Sequence, residues 1–166
     1  LHKENDILRK QMGVPALILK QMYPAMVLFS GDYLQITGGL VDGIREGQPV
    51  VIFDNYIGKI SKVNPRTSIV QLPSDPDAKT PVKSGQARGL LVGQFNSSMS
   101  LEKVAQNEQI SVDDLVLTSG EGDLVPNLIV GRIKEIKKSE SDLFQTATVV
   151  PIINYQELTT VFVITN

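Results

Sequence analysis

"VLTSGEGDLVPNLIVGRI", residues 116–133, sets a serine among glycines between two apolar runs. If Ser119 is a nucleophile on a tight turn, the protein is an enzyme; if the stretch is a hairpin, its glycines and proline only shape the chain. A serine hydrolase needs a base to take the hydroxyl proton, usually a histidine held by a carboxylate. The only histidine is His2, in a charged stretch far from Ser119 in the sequence. Every residue of the loop also has a structural task. Gly120 and Gly122 can take positive φ at little steric cost, and Pro126 ends the loop without needing a ladder hydrogen bond. Thr118 and Ser119 can bond nearby backbone and stiffen the turn. Ser119 is therefore read as part of a hairpin, and no enzyme is expected.

Outward from this hairpin the pattern is β-rich. Valine and isoleucine make about a fifth of the 166 residues, and such side chains fit a pleated, half-buried surface. Ten short apolar runs are read as strands: "PAMVLF", "DYLQI", "QPVVIF", "IGKISKV", "SIVQL", "RGLLVG", "DLVLT", "LIVGRIKEI", "FQTATVV" and "TVFVIT". Gly, Pro, Asn and Asp separate them at the intervals of an all-β sandwich or barrel. One helix is expected to interrupt them, "SSMSLEKVAQNEQI", with Ser98 or Ser100 as N-cap and Leu101, Val104 and Ala105 as the buried stripe. A weak internal repeat links the two halves. "IREGQPVVIF" (44–53) resembles "ISVDDLVLTS" (110–119), "GKISKV" (58–63) resembles "GRIKEI" (131–136), and "VQLP" ending at Pro73 parallels "TVVP" ending at Pro151. Two similar β-units joined near residues 84–89 follow.

The first residues differ. In "LHKENDILRKQMG" Leu1 and Leu8 are seven apart, as are Asn5 and Met12. Leucines at d then put Asn5 and Met12 at a, where an Asn fixes register in a paired coiled coil. Gly13 and Pro15 stop the helix. Two heptads are too few to stand alone, so this is the end of a longer coiled coil or a short amphipathic helix on its own domain.

Other chemistry finds little support. The formal charge of -2 and scattered Lys and Arg argue against nucleic acid. The absence of cysteine removes disulfides, thiol chemistry and thiolate zinc sites. "SLEK" (100–103) fits S-x-x-K, but no S-x-N or K-T-G partner accompanies it. Asp75 and Asp77 in "SDPDAK" lack the downstream ligands of a calcium loop. No cofactor or metal is expected. No apolar run approaches the ~18 residues that span a bilayer, and any anchor is expected upstream.

The motifs together resemble the MreC family of rod shape-determining proteins. The family pattern of "TSG", a glycine, a proline and "VGxV" is met by Thr118, Ser119, Gly120, Gly122, Pro126, Val130, Gly131 and Ile133. "ITGGLVDGIREGQPVV" is similar to a second block through Gly39, Asp42, Gly43, Gly47, Val50 and Val51, and "IGKISKV" and "VVP" also fit. "TGG", the long "LPSDPDAKTPV" connection and the acidic "GEGDLVP" loop depart from the family pattern. The resemblance implies a mainly β fold: the end of a coiled-coil helix (1–13), then a first β-barrel domain (14–86) and a second (87–166). The last strand closes the second barrel or returns to the first. It implies a non-catalytic scaffold of the bacterial elongation machinery, membrane-anchored and periplasmic, that binds a penicillin-binding protein transpeptidase and other rod-complex proteins. It also implies a homodimer through Leu1, Asn5, Leu8 and Met12, with filaments as an extension. An envelope or secretion adaptor of the same architecture is the alternative. Exposed aromatics are the usual anchors of a protein interface, so Tyr33, Tyr56 and Tyr155 are the candidate partner contacts.

Overall fold

The computed structural model describes residues 21–94, 96, 98–122 and 124–165. The coiled-coil reading of residues 1–13, with Leu1, Asn5, Leu8 and Met12, lies outside them. The described chain is mainly β. The first half holds β1 (Met22–Ser30), β2 (Tyr33–Thr37), β3 (Pro49–Ile52), β4 (Asn55–Val63) and β5 (Thr67–Gln71). The second holds β6 (Lys79–Ser84), β7 (Ala87–Gln94), β8 (Ser98–Ala105), β9 (Leu115–Thr118), β10 (Ile129–Lys137) and β11 (Phe144–Val150). β12 (Thr160–Ile164) ends the described chain. Two 3₁₀ turns, Leu40–Asp42 and Tyr155–Glu157, are its only helical elements.

Pairing in the order β12-β1-β2-β5-β4-β3, with β3 returning to β12, closes a six-stranded barrel. The other six strands pair in a second cycle, β6-β7-β8-β11-β10-β9, with β9 returning to β6. Closure leaves neither ring a free sheet edge to template aggregation. The orders match position by position, β12 standing in the first ring where β6 stands in the second. β6 precedes the expected junction near residue 86 yet pairs with β7 and β9. β12 pairs with β1 and β3.

Hydrogen bonding makes the internal repeat concrete. The Gly47 N–H donates to Ile60 O and the Ile60 N–H to Gln48 O; Asp113 N–H donates to Ile133 O and Ile133 N–H to Asp114 O. Gly47 and Asp113 both have positive φ, 89° and 74°. The preceding turns are capped alike. The Gln48 side chain accepts from Arg45 N–H, and the Asp114 carboxylate accepts from Ser111 N–H. Ile44 and Ile110, Val50 and Val116, and Ile60 and Ile133 fill equivalent core places.

The helix expected over 97–110 is corrected: Ser98–Ala105 is strand β8. Met99 and Leu101 alternate inward as a strand requires, and Val104 is buried next. The step of three from Leu101 to Val104 crosses a register shift in the β8–β11 pairing, where Lys103 takes a φ of 61°. One extra residue in a bulge thus imitated a helical spacing. Ser98 and Ser100 pair with Gln94 and Val92 of β7 instead of capping a helix.

Each ring encloses its own core. Leu34, Ile36, Ile57, Val70, Val161 and Val163 lie in the first, and Leu91, Met99, Leu101, Val116, Leu128 and Val149 in the second. Val51, Tyr56 and Ile164, although on first-ring strands, pack into the second cluster. A parallel bridge between Ile129 and Asn55 and the bond from Ile129 N–H to Asp54 O (2.8 Å) add a backbone link.

Candidate partner-binding surfaces

The opening loop is a backbone device. Thr118 is fully buried at the end of β9. Its hydroxyl donates to Val125 O at 2.6 Å and accepts from Leu128 N–H at 2.9 Å. Gly120 (φ 89°) and Gly122 (φ 69°) turn the chain, and a Cβ on Gly120 would come within 2.8 Å of Pro126. The Ser119 N–H donates to Pro81 O, while its hydroxyl only accepts a 3.5 Å bond from Glu121 N–H. Gly131 lies beyond the loop, buried within β10. Thr118, Ser119, Gly120, Gly122, Pro126 and Gly131 are thus joined by loop and strand geometry.

Of the three tyrosines expected on the surface, two are buried. Tyr56 and Tyr155 are each 3 % exposed; Tyr56 lies in the second core cluster and Tyr155 in the first. Neither is a surface contact, and Tyr155 Oη has no hydrogen-bond partner among the described residues. Their rings fill volume that Val and Ile cannot, in a chain with no tryptophan. Burial raises both phenols above the ordinary 10.0, and nearby Tyr155 adds to the shift at Tyr56. Both are neutral when folded, whereas the unfolded chain ionises them near the ordinary value. The stability they contribute is complete below pH 10 and falls above it, at about 1.4 kcal/mol per group per pH unit. Circular dichroism should therefore show alkaline unfolding that begins above that pH, and Tyr56→Phe should move its onset upward.

Tyr33 is 43 % exposed and does lie outside. Its ring meets Phe29 with centroids 5.3 Å apart, tilted 41°. Met26 (63 % exposed) and Leu28 (53 %) extend this apolar surface along the β1–β2 hairpin. The second ring supplies an internal comparison. Its equivalent hairpin, β7–β8, exposes Arg88, Gln94 and Lys103, and among its described residues no large apolar side chain is exposed. The sequence hid the apolar surface of β1–β2, because alternation in "MYPAMVLFS" does not say which apolar residues face inward. A register shift between Val27 and Phe29 leaves Leu28 out of the ladder.

Among the described residues no group of three or more His, Cys, Asp or Glu could hold a metal. No helix of the described residues is long and apolar enough to cross a membrane.

Two matched rings with filled cores, and a glycine loop held by its own backbone, define a β-barrel protein that presents surfaces. Residues 30–165 match the family described as rod shape-determining protein MreC, barrel core, and the chain belongs to the MreC family, a family of non-catalytic cell-shape proteins. The cell shape-determining protein MreC of Escherichia coli (strain K12) is 30% identical over 132 residues, 75% of this chain and 36% of that protein. The Cereibacter sphaeroides relative is 37% identical over 101 residues, 58% of this chain and 33% of its own length. The chain thus spans about a third of the length of these curated relatives. Solved MreC from Pseudomonas aeruginosa has a TM-score of 0.80 at 24% identity, covering 86% of this chain and 98% of that one. The major periplasmic domain of the cell shape-determining filament MreC gives 0.74 at 22%, covering 87% and 95%. A chain from the complex between penicillin-binding protein PBP2 and MreC of Helicobacter pylori gives 0.67 at 16%, covering 88% and 99%. At these identities the structures share the fold.

Proposed function

We propose that this chain is the periplasmic part of a membrane-anchored scaffold that helps set bacterial cell shape by binding a peptidoglycan-synthesising transpeptidase and other rod-complex proteins. In this reading it comprises two β-barrel domains, residues 22–71 with 160–164 and residues 79–150. The end of a coiled coil at residues 1–13 pairs it with a second copy through Leu1, Asn5, Leu8 and Met12. Pairing raises the local concentration of whatever the barrels hold. The solved complex of a relative with a penicillin-binding protein supports the class of partner.

The observation that carries the reading is the apolar outer surface of the β1–β2 hairpin. Met26, Leu28, Phe29 and Tyr33 are the contacts it assigns, with Tyr33 as aromatic anchor. Cross-linking envelope extract to the full chain should recover a penicillin-binding protein. Leu28→Asp and Tyr33→Ala should each reduce that recovery about tenfold or more while leaving the melting temperature unchanged. Recovery of the chain alone, or of secretion components, would sink the proposal and favour an envelope adaptor.

A further inference from the structure

The apolar surface of β1–β2 does not stop at that hairpin. Met26 of β1 stands opposite Thr160 of β12, and Phe162 of β12 stands opposite Val51 of β3. Two residues beyond Val51 is Phe53, in the two-residue loop that joins Ile52 to its partner Asn55. Met26, Thr160 and Phe53 thus stand in one row across three strands, at the ~4.8 Å spacing of neighbours in a sheet. The row before it is already a protein contact, because Val51 and Phe162 pack against the second ring's core. The outer face of the first ring therefore continues from the contact between the rings into solvent.

Phe53 is the residue of this row that folding does not explain. It is 81 % exposed and has a φ of 53°. Left-handed backbone disfavours any residue with a Cβ, and a hairpin loop of this length takes Gly or Asn there at less cost. The ring brings strain without burial, and such outliers gather where function keeps them. The charges nearby have one sign. No Lys or Arg occurs in residues 21–44, 46–58 or 139–166, the stretches that contain β1, β2, β3 and β12. β1 and β3 are each antiparallel to β12, so the turns with Asp32, Asp54 and Glu157 lie at one end of the ring. The Gln156 amide donates to Gly31 O at 3.1 Å, holding two of those turns together. All three acidic residues are exposed.

We propose that this end of the first ring docks an apolar segment of a partner protein flanked by Lys or Arg, with Phe53 as a second aromatic anchor beside Tyr33. The site rests on β1–β2 being the partner-binding face, as proposed above, and gives the chemistry of what binds there. Met26 and Phe53 cover the apolar part of the segment. Asp32, Asp54 and Glu157 attract its flanking cations, which speeds encounter and rejects acidic partners. The same carboxylates repel an anionic lipid surface, so the occupant is a protein.

The test is a titration of the ¹⁵N-labelled full chain with two synthetic peptides. Both carry one apolar core of a phenylalanine and three leucines, flanked in one by lysines and in the other by glutamates. Saturable shifts are expected at the amides of Met26, Phe53 and Thr160 with the lysine peptide, weaker as salt is raised. Phe53→Gly should weaken that binding about tenfold, the loss of one aromatic anchor. It should not lower the melting temperature, because glycine suits the left-handed backbone. Asp54→Lys combined with Glu157→Lys should reverse the preference between the peptides. Equal shifts from both peptides, shifts that do not saturate, or binding unchanged in Phe53→Gly would overturn the assignment. So would shifts at these amides on concentrating the chain alone, which give the face to a second copy. Cross-linking in envelope extract separates this site from the broader reading. A penicillin-binding protein recovered by Phe53→Gly as by the unchanged chain, yet lost in Tyr33→Ala, would leave that reading standing and remove Phe53 from the interface.

Discussion

Gly131→Ala should destabilise the protein by about 3 kcal/mol, the upper range for forcing atoms into a packed site, and lower its melting temperature by about 10 °C. A Cβ at Gly131 would lie 2.5 Å from Val150 O and 2.8 Å from Val149 Cγ1. The first contact is with backbone on the neighbouring strand, so no rotamer change relieves it. β10 can make room only by moving away from β11, which opens the ring. Gly58 is the repeat equivalent, and its Cβ would meet Gln71 O at 2.2 Å and Val70 Cγ1 at 2.9 Å. Glycine within a strand marks a close backbone approach or a tight corner, and here the same corner occurs once per ring. Gly58→Ala should therefore cost at least as much. Gly43→Ala is the control: its φ is 83° with nothing within 4 Å of a Cβ, so only the backbone term of about 1–2 kcal/mol remains. Urea unfolding of the three variants separates the causes. A cost at Gly131 no larger than at Gly43 would mean that the strand has room to shift.

These glycines also show what a sequence can reveal. "GKISKV" and "GRIKEI" match because both rings need the same crowded corner, and the repeat reflects a physical constraint as much as similar composition. Strand β6 was missed because Pro81 stands inside it, and proline argues against a ladder position. Yet Pro81 needs no N–H there: it faces Leu90 of β7, and its carbonyl accepts from Ser119. The helix misread over β8 came from a bulge, which shifts the inward face by one residue and turns a period of two into a step of three. The binding surfaces were the least legible. A tyrosine in an apolar run carries no mark of which side of the sheet it faces, so Tyr33, Tyr56 and Tyr155 looked equal. Facing is decided by pairing register, and Tyr56 points between the rings because Ile57 beside it points into one. A cleft that brings Gly47, Tyr56 and Lys59 together with Glu121, Gly122 and Leu124 is likewise a neighbourhood no local motif encodes.

Thr118→Val should have an effect of similar size, about 3 kcal/mol, by a different cause. The two side chains have nearly the same shape, and β9 accepts either branch, so packing is conserved. What changes is hydrogen bonding. Thr118 makes four hydrogen bonds to three residues of the returning loop. Its N–H donates to Leu128 O and its carbonyl accepts from Asn127 N–H, while its hydroxyl bridges Val125 O and Leu128 N–H. Valine removes the last two bonds and leaves a buried N–H and a carbonyl without partners, at about 1–3 kcal/mol each. Thr118→Ser should recover most of the loss, since the hydroxyl returns and only a methyl is missing. Ser119→Ala, one residue on, should stay within about 0.5 kcal/mol, because its hydroxyl makes a single 3.5 Å contact. Hydrogen exchange at the Leu128 amide locates the damage: it should accelerate in Thr118→Val and stay slow in Ser119→Ala. If both variants unfolded alike and the amide stayed protected, the loop would be held by its glycines and Pro126 alone. The serine that first suggested an enzyme would then be no less important than the threonine beside it.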